Sequence, residues 1–107
     1  MSDFIRKPEN GDVSETPFDS CFYHLTICKE LENLYRCKND DYGDSFHSTF
    51  EEEGFAMCRI RLSDKLNRFK NLTKEVSSEA LVPESIRDTL LDLANYAIMT
   101  IIELDRM

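Results

Sequence analysis

Hydrophobic residues recur every three to four positions along three long segments of the chain, which is the spacing of one side of an α-helix. The segments cover about residues 17–39, 55–72 and 83–105. Their apolar stripes are Phe18, Cys21, Phe22, Leu25, Cys28, Leu31, Leu34 and Tyr35; Phe55, Cys58, Leu62, Leu66 and Phe69; and Ile86, Leu90, Leu93, Ala97, Ile101 and Leu104. No segment alternates apolar and polar residues as a half-buried strand does, so the pattern predicts an all-α protein.

Residues that favour helix ends divide these segments into a small antiparallel bundle of three longer helices and one short one. Thr16-Pro17 is typical of an N-cap followed by a first helical position. Ser48 and Glu51 fit a capping box, which predicts a short helix near residues 47–53. Gly54 is expected to end that short helix.

Two polar segments set the domain organisation. Residues 1–15 are polar and charged, and we expect them to form a mobile N-terminal arm. Residues 16–107 are expected to form a single helical domain, in which a polar link at 73–82 precedes a last helix begun by Pro83. A chain of 107 residues has the length of one domain.

The net charge of −8 limits the classes of partner. Direct DNA or RNA binding is not expected, because phosphate neutralisation needs a basic face, and anionic membranes are disfavoured for the same reason. The beginning of the sequence shows no signal peptide, and the apolar run at 93–104 is interrupted by Asn95 and Thr100. We therefore expect a cytoplasmic protein without a membrane partner.

The second half of the last helix is apolar almost all round, with the sequence AIMTII at residues 97–102. A helix at the edge of a monomer would keep a polar face there, so this composition predicts burial on two sides. We expect residues 97–102 to lie in the subunit interface of a dimer or larger homo-oligomer.

Cys21, His24 and Cys28 share one face of the first helix and could seed a zinc site. The same face carries apolar residues, and free cysteine is a common core residue, so core packing is the favoured interpretation. The chain's four cysteines are expected to be reduced, and most of them to be protected from thiol reagents by burial.

Three acidic residues and an asparagine form a stripe on the last helix, at Glu84, Asp88, Asp92 and Asn95. A solvated face is the usual explanation for helix charges. However, short carboxylates on one rigid face suit a hard cation such as Mg2+. Glu32 of the first helix is a further metal candidate, because it stands among apolar neighbours, although it also fits the rim of that face.

The third helix carries the opposite charge, with five basic residues against Asp64. Ion pairs with the acidic helices would explain this excess. The alternative is phosphate recognition, for which arginine and lysine are well shaped. The predicted phosphate-binding residues are Lys38, Arg61, Lys65 and Arg68.

The turn sequence KNDDYGDSF at residues 38–46 is unusually acidic for a link between two helices. It is either a solvated turn or one wall of a site for a metal and a phosphate. We predict that Asp41 points toward Asp88 and Asp92, where the turn folds back at Gly43. Tyr42 is expected to anchor the turn, while Asp40 and Asp44 are expected to be solvated.

Three segments together resemble the phage and bacterial family called the nucleotide modification associated domain. They are KNDDYGDSF at 38–46, SDKLNRFKNL at 63–72 and ESIRDTLLDLANYAIMTIIEL at 84–104. The resemblance covers about residues 25–104. It implies a role in phage nucleotide metabolism or base modification, and a location in the host cytoplasm if the protein is encoded by a phage.

The chain is also distantly similar to the MazG-like all-α nucleotide pyrophosphatases, dimeric bundles that use E-x-x-E and E-x-x-D motifs to bind Mg2+. That resemblance implies catalytic roles for Glu32, Asp88 and Asp92, and metal binding by these residues and Asp41. The motifs are incomplete, because Ser85 and Thr89 stand where the motif has glutamate, and Lys29 precedes Glu32 by three positions.

These observations predict a nucleotide-binding protein. Phosphates would lie on the basic residues, Tyr42 and Asn95 would contact base or sugar, and Mg2+ would be the cofactor. If the protein is an enzyme, it would be a Mg2+-dependent nucleoside triphosphate pyrophosphohydrolase. The alternative is a non-catalytic phage accessory or counter-defence protein that binds a signalling nucleotide or a host protein.

Overall fold

The computed structural model describes residues 17–42, 44–74 and 84–107 and, within the first range, only the backbone of residues 40–42. These residues form four α-helices and no strand: α1 (Ser20–Tyr42), α2 (Ser45–Glu53), α3 (Phe55–Thr73) and α4 (Glu84–Arg106). The prediction of a small all-α bundle with three longer helices and a short one is confirmed.

Several predictions lie outside the described residues. They concern the arm at residues 1–15, Thr16, Gly43, most of the polar link and Pro83. The backbone of Asp41 and Tyr42 belongs to α1. The structure does not describe the side chains of these two residues or of Asp40.

α1 begins three residues later than Thr16-Pro17 predicts, because Asp19 caps it. The backbone N–H of Phe22 donates to Asp19 Oδ1 at 3.1 Å, and the N–H of Tyr23 donates to the Asp19 carbonyl at 3.1 Å. A carboxylate that accepts a hydrogen bond from the first turn satisfies an otherwise unpaired donor. The helix boundary is therefore set by Asp19 rather than by the proline.

The predicted capping box of the short helix does not form. α2 begins at Ser45, so Ser48 is already inside the helix, where its hydroxyl donates to the Asp44 carbonyl at 3.4 Å. Gly54 does end α2, as predicted. Its φ of +69° and ψ of −156° belong to a region that only glycine occupies readily, and its N–H donates to the Phe50 carbonyl at 2.7 Å.

α3 and α4 pack against each other more extensively than any other pair of described helices. They run antiparallel, since Lys65 contacts Asp92 and Arg68, further along α3, contacts Thr89, earlier in α4. The buried residues of this pair are Met57, Cys58, Ile86, Thr89, Leu91 and Glu103. The core of the protein is therefore the α3–α4 pair.

The face of α4 that packs inward agrees only in part with the predicted apolar stripe, in which Ile86 is buried and Leu93 is half-buried. Leu90, Ile101 and Leu104 are 41%, 53% and 52% exposed. Thr89 and Glu103, two polar residues, are buried instead because each has polar partners on a neighbouring helix. The exposed apolar face includes part of residues 97–102, whose place in a subunit interface stays a prediction.

Among the described residues, α1 contacts the rest of the bundle through its second half. All side chains of residues 20–29 are exposed, and Leu31 is the only buried residue of α1 whose side chain is described. Arg87 of α4 forms a bidentate ion pair with Glu30, with two N–O distances of 2.7 Å. Glu30 thus marks the point where α1 begins to contact α4.

The exposure of α1 also corrects the prediction for the cysteines. Cys21, Cys28 and Cys37 are exposed, and Cys58 is buried. The apolar face that was expected to bury the first two has no neighbouring helix among the described residues. None of the described helices is long and apolar enough to cross a membrane.

Candidate functional site

A cavity of about 410 Å³ opens where the second half of α1 meets α2, α3 and α4. Pockets for small ligands usually have volumes of several hundred Å³, so this one could hold a nucleotide-sized molecule. Its lining residues are Tyr35, Lys38, Asn39, Ser45, Phe46, Thr49, Met57, Arg61, Asp92, Asn95, Tyr96 and Met99. Each of the four helices contributes to this wall.

Asp92 lies at the charged end of the cavity, between two lysines from different helices. Its Oδ1 is 3.4 Å from Lys38 Nζ of α1, and its Oδ2 is 3.2 Å from Lys65 Nζ of α3. Arg61, one turn before Lys65 on α3, also lines the cavity. Two lysines therefore contact one carboxylate, and an arginine lines the same cavity, in a chain whose net charge is −8. This local excess of positive charge would attract an anion.

Aromatic and thioether side chains form the other wall of the cavity. The rings of Phe46 and Tyr96 lie 6.1 Å apart between centroids and are inclined by 26°. Tyr35, Met57 and Met99 continue this surface. Flat rings beside a cationic end give the cavity one side suited to a planar apolar group and another suited to an anion.

Asn95 lies in the cavity wall, as its predicted role requires. Its Nδ2 donates a hydrogen bond to the Leu31 carbonyl at 3.1 Å, which ties α4 to α1. Because this bond fixes the amide, the direction of the Asn95 Oδ1 acceptor is also fixed. The carbonyl oxygen of the side chain is therefore available in a defined orientation.

The other predicted site residues have different partners. Arg68 does not line the cavity. Its Nε donates a hydrogen bond to the hydroxyl of the buried Thr89 at 3.2 Å. The geometry therefore does not support its predicted role in phosphate binding. Glu32 forms an ion pair with Arg36 one turn along α1. Asp88 is exposed and is also not among the lining residues.

The described residues contain no group of three or more His, Cys, Asp or Glu side chains that could hold a metal ion. Asp92 is the only member of the predicted metal set that lines the cavity, and each of its oxygens has a lysine partner. The described carboxylates therefore do not fit a metal site formed by protein ligands alone. The structure does not describe the side chain of Asp41, so its place in a metal site with Asp92 stays a prediction.

A buried polar cluster fastens α2 to the end of α4, one turn beyond Met99. The side chain of Glu103 is only 3% exposed. Its Oε1 lies 2.8 Å from His47 Nδ1, and its Oε2 lies 3.6 Å from Arg106 Nη1. Arg106 also donates to Asp44 Oδ2 at 3.1 Å, and this hydrogen bond raises the pKa of the guanidinium. Asp44, expected to be solvated, is thus the partner of Arg106. Because α2 carries Phe46, the cluster holds one wall of the cavity in place.

The sequence analysis missed the aromatic wall and the polar cluster. Phe46 is the last residue of the acidic turn sequence KNDDYGDSF. Tyr96 directly follows Asn95 on the last helix. Glu103 was a signal that could have been used, because this acid stands between the apolar run at residues 97–102 and Leu104. A carboxylate at such a position needs a partner, and His47 is one of only two histidines in the chain.

Residues 38–104 match the family model described as Nucleotide modification associated domain 1. This match covers more than half of the 107 residues, and the chain belongs to that family. It covers residues 38–42 at the end of α1 and all of α2 and α3, and it ends within α4, so part of every helix that forms the cavity lies inside the match. No curated protein and no solved structure was found that matches the chain.

Proposed function

From membership of this family and from the geometry of the cavity, we propose that the protein binds a phosphorylated nucleotide between its four helices. The observation that carries the proposal is the contact of both Lys38 and Lys65 with Asp92, a carboxylate that lines the cavity together with Lys38 and Arg61. The family's description supports nucleotides as the class of ligand.

Lys65 is the better fixed of the two lysines before a ligand arrives, since Lys38 is 65% exposed. Lys65 is 27% exposed, so part of its hydration has already been replaced by contacts with Asp92 and its neighbours. A phosphate group carries more negative charge than a carboxylate and offers more acceptor oxygens. The phosphate would therefore take over both ammonium groups from Asp92 and add a contact with Arg61.

The nucleoside would lie against the aromatic wall. A base stacked on Phe46 or Tyr96 gains roughly 1–3 kcal/mol, whichever base it is. Asn95, with its oriented side-chain oxygen, would accept a hydrogen bond from the base or the sugar. The predicted contact from Tyr42 belongs to the same proposal.

Mg2+ enters this proposal as a partner of the phosphates. A magnesium ion is commonly bound through one or two carboxylates together with substrate phosphate oxygens. Asp92 is the cavity residue that would serve as such a carboxylate once the lysines have moved to the phosphate. We assign no catalytic step to the ion, because the described residues place a single carboxylate in the cavity.

Calorimetric titration with nucleoside mono- and triphosphates, with and without Mg2+, tests the proposal. Arg61→Ala and Lys65→Ala are each expected to weaken binding by more than tenfold, about 1.4 kcal/mol. Arg59→Ala and Lys70→Ala are matched controls, since both residues are exposed on α3 and neither lines the cavity. Equal small effects from all four variants would contradict a phosphate site in the cavity.

Asp92→Asn separates two roles for the central carboxylate. If Asp92 only holds the lysines, the variant should bind nucleotide at least as well as the native protein, because a competing anion has been removed. If Asp92 binds Mg2+, the variant should lose the Mg2+-dependent part of the affinity. Pyrophosphate release from nucleoside triphosphates should be measured with the same proteins. Release would indicate a pyrophosphohydrolase, and binding without release would indicate a non-catalytic binder.

A further inference from the structure

The exposed half of α1 carries a pair of side chains that the nucleotide cavity does not use. Cys28 Sγ lies 3.7 Å from His24 Nδ1, one helical turn away. Both side chains are exposed, and neither lines the cavity. Cys28 was expected to be buried in the core, but its side chain is exposed.

The separation of the two atoms is the one that a zinc ion needs. Zinc binds cysteine sulfur at about 2.3 Å and histidine nitrogen at about 2.0–2.1 Å, and its structural sites are tetrahedral. At the tetrahedral angle these bond lengths place sulfur and nitrogen about 3.6 Å apart. The observed 3.7 Å therefore requires almost no movement of either side chain.

One chain supplies only half of a closed zinc site. Structural zinc is almost always held by four protein ligands. The described residues of one chain contain no group of three or more possible ligands. A second copy that is related by a two-fold axis through the metal position, beside this helix turn, would supply the same pair again.

We propose that His24 and Cys28 from two copies of this chain together bind one zinc ion, as a Cys2His2 site at a contact between the two α1 helices. Each Cys28 thiol loses its proton on binding, so one Zn2+ replaces two protons. The complex of Zn2+ with two thiolates and two neutral imidazoles has no net charge.

The surroundings of the pair fit a second copy of the helix. Residues 20–29 are exposed on every side, and within them Phe22, Leu25 and Ile27 are large apolar side chains at 60%, 54% and 38% exposure. Leu25 and Ile27 flank the metal ligands on the helix surface and would be covered when two helices pair, whereas Phe22 lies on the opposite side. A neutral metal complex is compatible with this apolar contact, whereas an unpaired Zn2+ charge would not be.

Zinc content and assembly of the full chain test this proposal directly. Protein that is purified with its thiols reduced and equilibrated with Zn2+ should contain one zinc per two chains, in particles with an even number of chains. Cobalt substitution should give the visible spectrum of a tetrahedral ion and a thiolate charge-transfer band. One zinc per monomeric chain, or no zinc above background, would overturn the proposal.

Substitutions then assign the ligands. Cys28→Ser and His24→Ala should each lower zinc affinity by more than about 100-fold, since losing a direct ligand costs more than losing an outer-shell partner. Cys37→Ser is the matched control, an exposed cysteine on the same helix, and should bind zinc normally. Circular dichroism should show native helix content in all three. If Cys21→Ser abolishes binding as Cys28→Ser does, the site belongs to a single helix and the two-chain proposal is wrong.

Discussion

The α3–α4 pair and the first half of α1 have similar helical patterns but opposite surroundings. In the α3–α4 pair, Cys58 and Leu91 are only 2% and 6% exposed. In the first half of α1, all ten residues from 20 to 29 are exposed, although four of them are large hydrophobic residues. The difference shows that an apolar stripe indicates which side of a helix avoids water, but not which partner covers that side.

The largest difference between neighbouring residues is expected at Leu90 and Leu91. Leu91→Ala removes a side chain that is 6% exposed and should lower the free energy of unfolding by about 3 kcal/mol, through lost burial and a cavity. Leu90→Ala removes the same atoms from a side chain that is 41% exposed and should cost under about 1 kcal/mol. Urea unfolding of the two variants measures both values. Equal losses would mean that Leu90 is covered in solution, as an interface at residues 97–102 would require.

Much of the fold could be predicted from the sequence because local preferences decide it. The 3.6-residue period located the three long helices, and Gly54 ended α2 where expected, since its conformation is one that other residues resist. The burial of α4 could not be predicted in this way. Thr89 and Glu103 are buried because Arg68 and His47 reach them from other helices, and such pairing depends on tertiary structure.

The next largest effect is expected at the polar cluster between α2 and α4. His47→Ala leaves the buried Glu103 carboxylate with only the longer contact to Arg106, and this should cost about 2 kcal/mol. His24→Ala, a change of the other histidine on the exposed half of α1, should leave the stability of zinc-free protein almost unchanged. Thermal unfolding in the presence of a chelator compares them. Similar losses in both variants would show that residues 20–29 are covered.

The candidate site was only partly predictable, for a related reason. Lys38, Arg61, Lys65, Asp92 and Asn95 do come together, because charge and residue type along each helix indicated them. Arg68 does not line the cavity and contacts Thr89, a partner that a helix wheel does not show, so its phosphate role stays a prediction. Phe46 and Tyr96 form a wall only because α2 folds back on α4, a contact that the sequence pattern does not specify.

A smaller effect is expected where α2 meets α3. Gly54→Ala places a Cβ in open space, with no heavy atom within 4 Å, so any loss must come from the backbone. At φ +69° and ψ −156° that strain should cost about 1–2 kcal/mol. Ala56→Gly in the first turn of α3 is the control, with a loss of about 1 kcal/mol from helix propensity alone. A Gly54→Ala variant as stable as the native protein would show that the turn adopts another conformation.

The smallest effect is expected at Glu30, where the exposed and packed parts of α1 meet. The hydrogen bonds from Arg87 lower the pKa of Glu30 below its ordinary value of 4.5, while partial desolvation acts in the opposite direction. A carboxyl group with a lowered pKa in the folded state binds its proton more weakly there than in the unfolded chain. It therefore stabilises the fold above pH 4.5, and this contribution disappears as the pH falls through the lowered pKa.

The consequence can be measured by unfolding native protein and Glu30→Gln across a range of pH. At neutral pH the variant should be slightly less stable, because it has lost an exposed ion pair. The difference should shrink once the pH drops below 4.5 and vanish when Glu30 is protonated in both states. Glu32→Gln is the control, since its partner Arg36 lies on the same helix and the pair does not connect α1 to α4. If Glu30→Gln and the control behave alike at every pH, Arg87 does not fasten α1, and its attachment rests on Leu31 and Asn95 instead.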